Sequence, residues 1–107
     1  KELILSGGFN VYPSQVEEAI RSLPGVADVA VVGVPVADAT EEVTAAIILE
    51  EGVQRLTLEQ VRNWAEKSIA HYALPRQIVF IAELPRNQMG KILRRKVAQV
   101  VREKLGR

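Results

Sequence analysis

The 107 residues contain no cysteine, which excludes a disulfide framework and thiolate chemistry and leaves the redox character of the compartment open. A cytosolic setting is the simplest expectation. Histidine occurs once, at His71, with no cysteine and no neighbouring carboxylate pair, so a metal site or a histidine general base lacks partners and a structural or surface role is expected. Aromatic residues make up only 5% of the chain. No apolar run approaches the roughly 18 residues of a membrane-spanning helix, and the opening KELILSGGF lacks the charged, apolar and small-residue order of a secretion signal. Beginning on Lys1 without an initiator methionine, the chain reads as a piece of something longer.

What is present is the balance of an ordinary globular protein, 48% apolar and 25% charged, and the length suits one domain over residues 1–107 with a single core. The net charge of +1 conceals a strong asymmetry. Residues 1–85 carry six Lys or Arg against twelve Asp or Glu, a net of −6, whereas residues 86–107 carry eight against one, a net of +7. A basic end of this kind attracts nucleotide phosphates, nucleic acid or a membrane surface, and charge alone does not choose among them.

The residue pattern predicts an α+β fold, an N-terminal β-hairpin followed by a three-stranded sheet packed with helices. Gly7-Gly8 between β-prone runs predicts a hairpin with strands near 2–5 and 9–11. Pro13 suits a first helical position, and Val16, Ala19, Ile20 and Leu23 form an apolar stripe that Pro24-Gly25 ends. Glu17 and Glu18 are read as helix-end electrostatics. Val26–Val34 is apolar on both faces and predicts a strand central in its sheet; after Pro35 and an acidic loop, Val43–Leu49 predicts a second buried strand. Thr57 to Gln60 is a capping-box pattern opening a helix with Val61, Trp64, Ala65 and Ile69 on one face, Trp64 being read as packing. Residues 77–82 predict a third strand. Beyond Lys91, the stripe Leu93, Val97, Val100, Val101 and Leu105 predicts a final helix whose other faces are basic.

The functional signal is concentrated in Leu84–Lys96, LPRNQMGKILRRK. A Gly-Lys pair entering a helix invites comparison with a phosphate loop, because helix amides and a lysine ammonium both favour anions. That pattern is incomplete: Pro85 stands where its first glycine belongs, and Ile92 replaces the Ser or Thr that would hold magnesium.

Pro85-Arg86-Asn87-Gln88-Met89-Gly90-Lys91-Ile92-Leu93-Arg94-Arg95 instead resembles the last core motif of the adenylate-forming superfamily, which includes acyl-CoA and aryl-CoA synthetases, luciferases and peptide-synthetase adenylation domains. Lys1-Glu2-Leu3-Ile4, Ser6-Gly7-Gly8-Phe9-Asn10-Val11-Tyr12-Pro13 and Val16-Glu17 resemble the family motif that follows the interdomain hinge. Val32-Gly33-Val34-Pro35 and Tyr72-Ala73-Leu74-Pro75 also stand where the family places similar segments. The resemblance spans essentially the whole chain and is closest to the small C-terminal domain of bacterial acyl-CoA synthetases acting on medium- or long-chain acids. Val36 and Thr40-Glu41 depart from the family's Asp and Gly-Glu, and Ala73 from its lysine.

The resemblance implies a mobile C-terminal domain working beside a large N-terminal adenylation domain absent here. ATP and CoA are the implied substrates beside a fatty acid, with Mg2+ in the intact enzyme; no metal and no cofactor are expected to be held by this domain alone. Lys91 is the implied catalytic residue, with Asn87 and Gly90 on the phosphate-side loop, and Ser6, Gly7, Gly8, Phe9 and Asn10 form the CoA-facing hairpin. It further implies that the small domain rotates between the two half-reactions, that the fragment alone is inactive, and that acetylation of Lys91 would act as a switch by removing its charge. The alternative is a small basic α+β module for nucleic acid or a membrane surface. No aromatic falls in the basic segment to stack on bases, so no nucleic acid is expected. Peripheral contact of the basic helix with a membrane is compatible with a long-chain acid substrate.

Overall fold

The computed structural model describes residues 2–107; Lys1, which opens the hinge-following motif, lies outside the described residues. Strands β1 (Ile4–Ser6) and β2 (Phe9–Val11) form the hairpin, and Ser6 pairs directly with Phe9. Gly7 and Gly8 are thus the whole turn, at φ +56° and +86°, left-handed conformations that favour glycine. Helix α1 (Pro13–Arg21) starts on its proline, and strand β3 (Val26–Pro35) runs antiparallel to β4 (Glu41–Leu49). Helix α2 (Leu58–Ala65) crosses over to β5 (Gln77–Phe80), which is parallel to β4, as a parallel pair requires. Helix α3 (Arg94–Lys104) closes the described chain.

The α+β class and the hairpin-plus-three-strand architecture are therefore those the sequence predicted. The sheet order is β3-β4-β5, with one apolar layer on each face. Because side chains alternate along a strand, Val29 and Val31 pack with Val16, Ile20, Val61 and Ala65 of α1 and α2, together with Ile4 and Val11 of the hairpin. Ala30, Val32 and Val34 pack on the other side with Val97 and Val101 of α3. The capping box forms as expected, with Gln60 N–H donating to Thr57 Oγ1 at 3.1 Å and Thr57 N–H to Gln60 Oε1 at 2.8 Å. Trp64, read as packing, is half-buried and belongs to neither apolar cluster; its Nε1 donates to Ser22 Oγ at 2.9 Å, joining α2 to the end of α1.

Several expectations are corrected. β3 is at the edge of the sheet and β4 is central. Two-sided apolarity in β3 reflects helices on both of its faces, and says nothing about strands on both of its edges. An edge strand leaves backbone N–H groups unpaired, and Glu17 supplies the partner for one: its Oε2 accepts the Val31 N–H at 2.9 Å. Glu17 is only 3% exposed, so it is a buried strand partner and not a helix-end charge. The helix bearing Trp64 stops at Ala65, before Ile69, and a separate 3₁₀ turn covers His71–Ala73. α3 begins at Arg94, three residues after Lys91. Ile92 is spent on an isolated antiparallel bridge with Arg86, which keeps the intervening chain out of the helix.

Candidate functional site

Lys91 sits on a closed turn whose geometry is set by Asn87. The base is pinned by Leu93 N–H donating to Pro85 C=O at 3.0 Å, together with the Arg86–Ile92 bridge. Within it, Asn87 N–H donates to Lys91 C=O and Gly90 N–H to Asn87 C=O, both at 2.9 Å. The Asn87 side-chain oxygen accepts the N–H of Met89 and of Lys91, each at 2.9 Å. Asparagine suits this task because its short amide mimics a backbone carbonyl. Gly90 takes φ +84°, and nothing stands within 4 Å of where its Cβ would be, so conformation and not crowding requires glycine.

Arg86 braces the turn from outside. Its Nη1 donates to Gly90 C=O at 2.7 Å, and its Nη2 pairs with Asp28 near the start of β3. Arg94 anchors the chain just beyond the turn, donating from Nε and Nη2 to Glu17 at 3.0 and 2.5 Å and from Nη1 to Glu2 at 2.5 Å. Burial alone would lower the Arg94 pKa, but the bonds to Glu17 and Glu2 raise it above the ordinary guanidinium value. Lys91 itself is exposed and makes no ion pair among the described residues. Its two arginine neighbours are neutralised by carboxylates, so the ammonium is the free positive charge of the turn.

The hairpin is held at the far end of β3. Thr40 Oγ1 accepts the Gly7 N–H at 3.0 Å, and Glu41 Oε1 accepts the Leu5 N–H at 3.2 Å. Thr40, a departure from the family pattern, is thus one of the residues the hairpin rests on. Asp28 and Pro35, which pairs with Glu41, are seven positions apart on β3, roughly 23 Å at about 3.3 Å per residue. The hairpin and the lysine turn are therefore anchored to opposite ends of one strand.

Ser6, Gly7 and Phe9 line a cleft of about 580 Å³ with Leu58, Arg62, His71, Tyr72 and Arg76. Phe9 and Tyr72 stack with ring centroids 4.3 Å apart, though they remain 50% and 45% exposed. Arg62 is fixed by a 2.7 Å bond from Nη1 to Pro75 C=O. The structure thus brings Ser6, Gly7 and Phe9 together with a cationic wall. Gly8 lines a separate groove with Asp38, Ala39 and Thr40, and Asn10 lines a neighbouring groove of about 530 Å³ with Tyr12 and Gln15. Sequence reasoning missed Arg62, Tyr72 and Arg76, because Tyr72 meets Phe9 only after the chain has passed through β3, β4 and α2. His71 is exposed, as expected, and borders the same cleft.

Comparison with known proteins assigns this α+β chain to a family. The family model described as the AMP-binding enzyme C-terminal domain matches residues 15–91, more than half of the chain and ending on Lys91. The chain belongs to that family.

Among its relatives, a 2-succinylbenzoate–CoA ligase of Bacillus cereus (strain Q1) is 41% identical over 102 residues, 95% of this chain and 21% of the relative. A mitochondrial medium-chain acyl-CoA ligase of Danio rerio is 38% identical over 106 residues, 99% of this chain and 17% of the relative. The crystal structure of a Brucella canis acyl-CoA synthetase superposes with a TM-score of 0.87 at 37% identity, covering 98% of this chain and 20% of that one. This chain thus spans about a fifth of the length of these relatives.

Proposed function

We propose that residues 1–107 are one domain, the mobile C-terminal domain of an ATP-dependent, AMP-forming acyl-CoA ligase, with a large N-terminal adenylation domain in the same polypeptide. The observation that carries this reading is the Asn87-ordered turn that holds Lys91, exposed and without an ion pair among the described residues, in a chain of this family. In the first half-reaction a carboxylate oxygen attacks the α-phosphorus of ATP and pyrophosphate leaves. Two anions must approach, and a cation between them lowers that barrier. Lysine suits the position, being a compact charge with rotatable donors. Arg95 and Lys96, exposed at the positive end of α3, add to the favourable potential.

In the second half-reaction the CoA thiolate attacks the acyl carbonyl and AMP leaves. The domain turns so that the hairpin, not the lysine turn, faces the acyl-adenylate. Gly7 and Gly8 leave room for the thin pantetheine arm. The Phe9–Tyr72 stack with Arg62 and Arg76 suits the purine and phosphates at the other end of CoA, since aromatic faces take bases and arginine takes phosphate.

The described residues include no group of three His, Cys, Asp or Glu side chains placed to hold a metal. Magnesium belongs with ATP in the remainder of the enzyme. The proposed acid is a fatty acid, supported by the medium-chain relative, although the 2-succinylbenzoate relative means that an acid panel on the full-length enzyme decides it. The proposed location is cytoplasmic. No described helix is long and apolar enough to cross a membrane. The exposed cations of α3 favour peripheral contact with anionic lipid, which liposome flotation reads directly.

The test of the function is to separate the half-reactions in the full-length protein. Pyrophosphate exchange should require Lys91, whereas thioester formation from supplied acyl-adenylate should require the hairpin. The 107 residues alone should turn over nothing.

A further inference from the structure

Arg94 makes two unlike contacts, and only one is explained by folding. Its forked bond to buried Glu17 neutralises both charges and ties α3 to α1 and the edge of β3. Glu2 is a second carboxylate on an arginine that is already paired. Its side chain is half-exposed, the setting in which an ion pair contributes little to stability. What the Glu2 contact does achieve is geometric. It joins positions 92 residues apart. Arg94 directly follows Leu93, whose N–H closes the base of the lysine turn on Pro85. Glu2 lies on the N-terminal side of the stretch matched by the C-terminal-domain model, the side from which the rest of a longer relative's chain leads into such a domain.

We propose that Glu2 is a positioning residue for Lys91: through Arg94 it locks the incoming chain to the base of the turn that carries the lysine. The orientation set by the rest of the protein then reaches the ammonium without slack. The inference rests on the ligase reading above, in which Lys91 has to be placed between two anions that belong to another domain.

The experiment uses the full-length protein with Glu2→Ala, Glu2→Gln and, as a control, Lys91→Ala. Glu2→Ala should lower kcat for adenylation about tenfold while the KM values for ATP and acid change by less than about twofold. Thioester formation from supplied acyl-adenylate should stay within about twofold, and the midpoint of thermal unfolding within about 2 °C. Glu2→Gln, which keeps an oxygen acceptor for Arg94, should lose less than Glu2→Ala. Unchanged adenylation in Glu2→Ala overturns the proposal. So does an equal slowing of both half-reactions with a fall in thermal midpoint, which marks a merely structural contact, and so does a Gln variant no better than Ala. If Lys91→Ala adenylates normally, the ligase reading fails; if Lys91→Ala is impaired and Glu2→Ala is not, the positioning role alone fails.

Discussion

The side-chain oxygen of Asn87 accepts the backbone N–H of Lys91 at 2.9 Å, so the residue that carries the charge is fixed by a neighbour four positions earlier. Asn87→Ala removes that bond and the one to Met89. At about 1 kcal/mol for a net hydrogen bond, loss of turn order should slow adenylation about five- to tenfold. Because the turn is exposed, global stability should barely change. Pyrophosphate exchange and thermal unfolding of the same preparation check both halves of this expectation.

Glu17 and Arg94 make a different kind of contact, 77 positions apart and largely buried. Glu17→Ala leaves the guanidinium and the Val31 N–H without their partner, which should cost about 3 kcal/mol, the lower part of the range for buried pairs because Arg94 keeps some solvent contact. Denaturant unfolding measures it. The pKa of Arg94 is raised in the folded state, so its contribution is complete below the ordinary guanidinium value and is lost only as pH rises through the raised one. The Arg94 contribution should therefore not shrink between about pH 6 and about pH 9.

Gly8 holds φ +86° with no atom near its missing Cβ, so Gly8→Ala strains the backbone without a clash. The cost should be about 1 kcal/mol for a left-handed alanine. It should fall on thioester formation and spare adenylation, which the two half-reaction assays separate.

Arg76 borders the cleft beside the Phe9–Tyr72 stack. If the phosphates of CoA lie there, Arg76→Ala should raise the KM for CoA about tenfold, the worth of one charge-assisted hydrogen bond, and leave the KM for ATP unchanged. Initial-rate kinetics with each substrate varied in turn provide the check.

Local chemistry was the legible part of this sequence. Gly7-Gly8, Pro13 and the Thr57–Gln60 box each act within a few residues, so their hairpin turn, helix start and cap could be read directly. The lysine turn was legible as a motif, but not its exit, because the pairing of Ile92 with Arg86 outweighs the helical stripe that begins at Leu93. What escaped were contacts between distant residues: the edge position of β3, the Glu17–Arg94–Glu2 network and the Phe9–Tyr72 stack. An apolar residue reports that it is buried, not what buries it. A glutamate early in a helix looks the same whether it faces water or an unpaired strand amide.

The central claim is that Lys91 serves the first half-reaction and not the second. Lys91→Ala in the full-length protein is the direct test, with acid-dependent pyrophosphate exchange and thioester formation from supplied acyl-adenylate measured side by side. The account predicts a fall of about 10²–10³-fold in exchange, the usual cost of one electrostatic stabiliser, with the thioester step largely intact. Equal loss in both steps, or normal exchange, would contradict it.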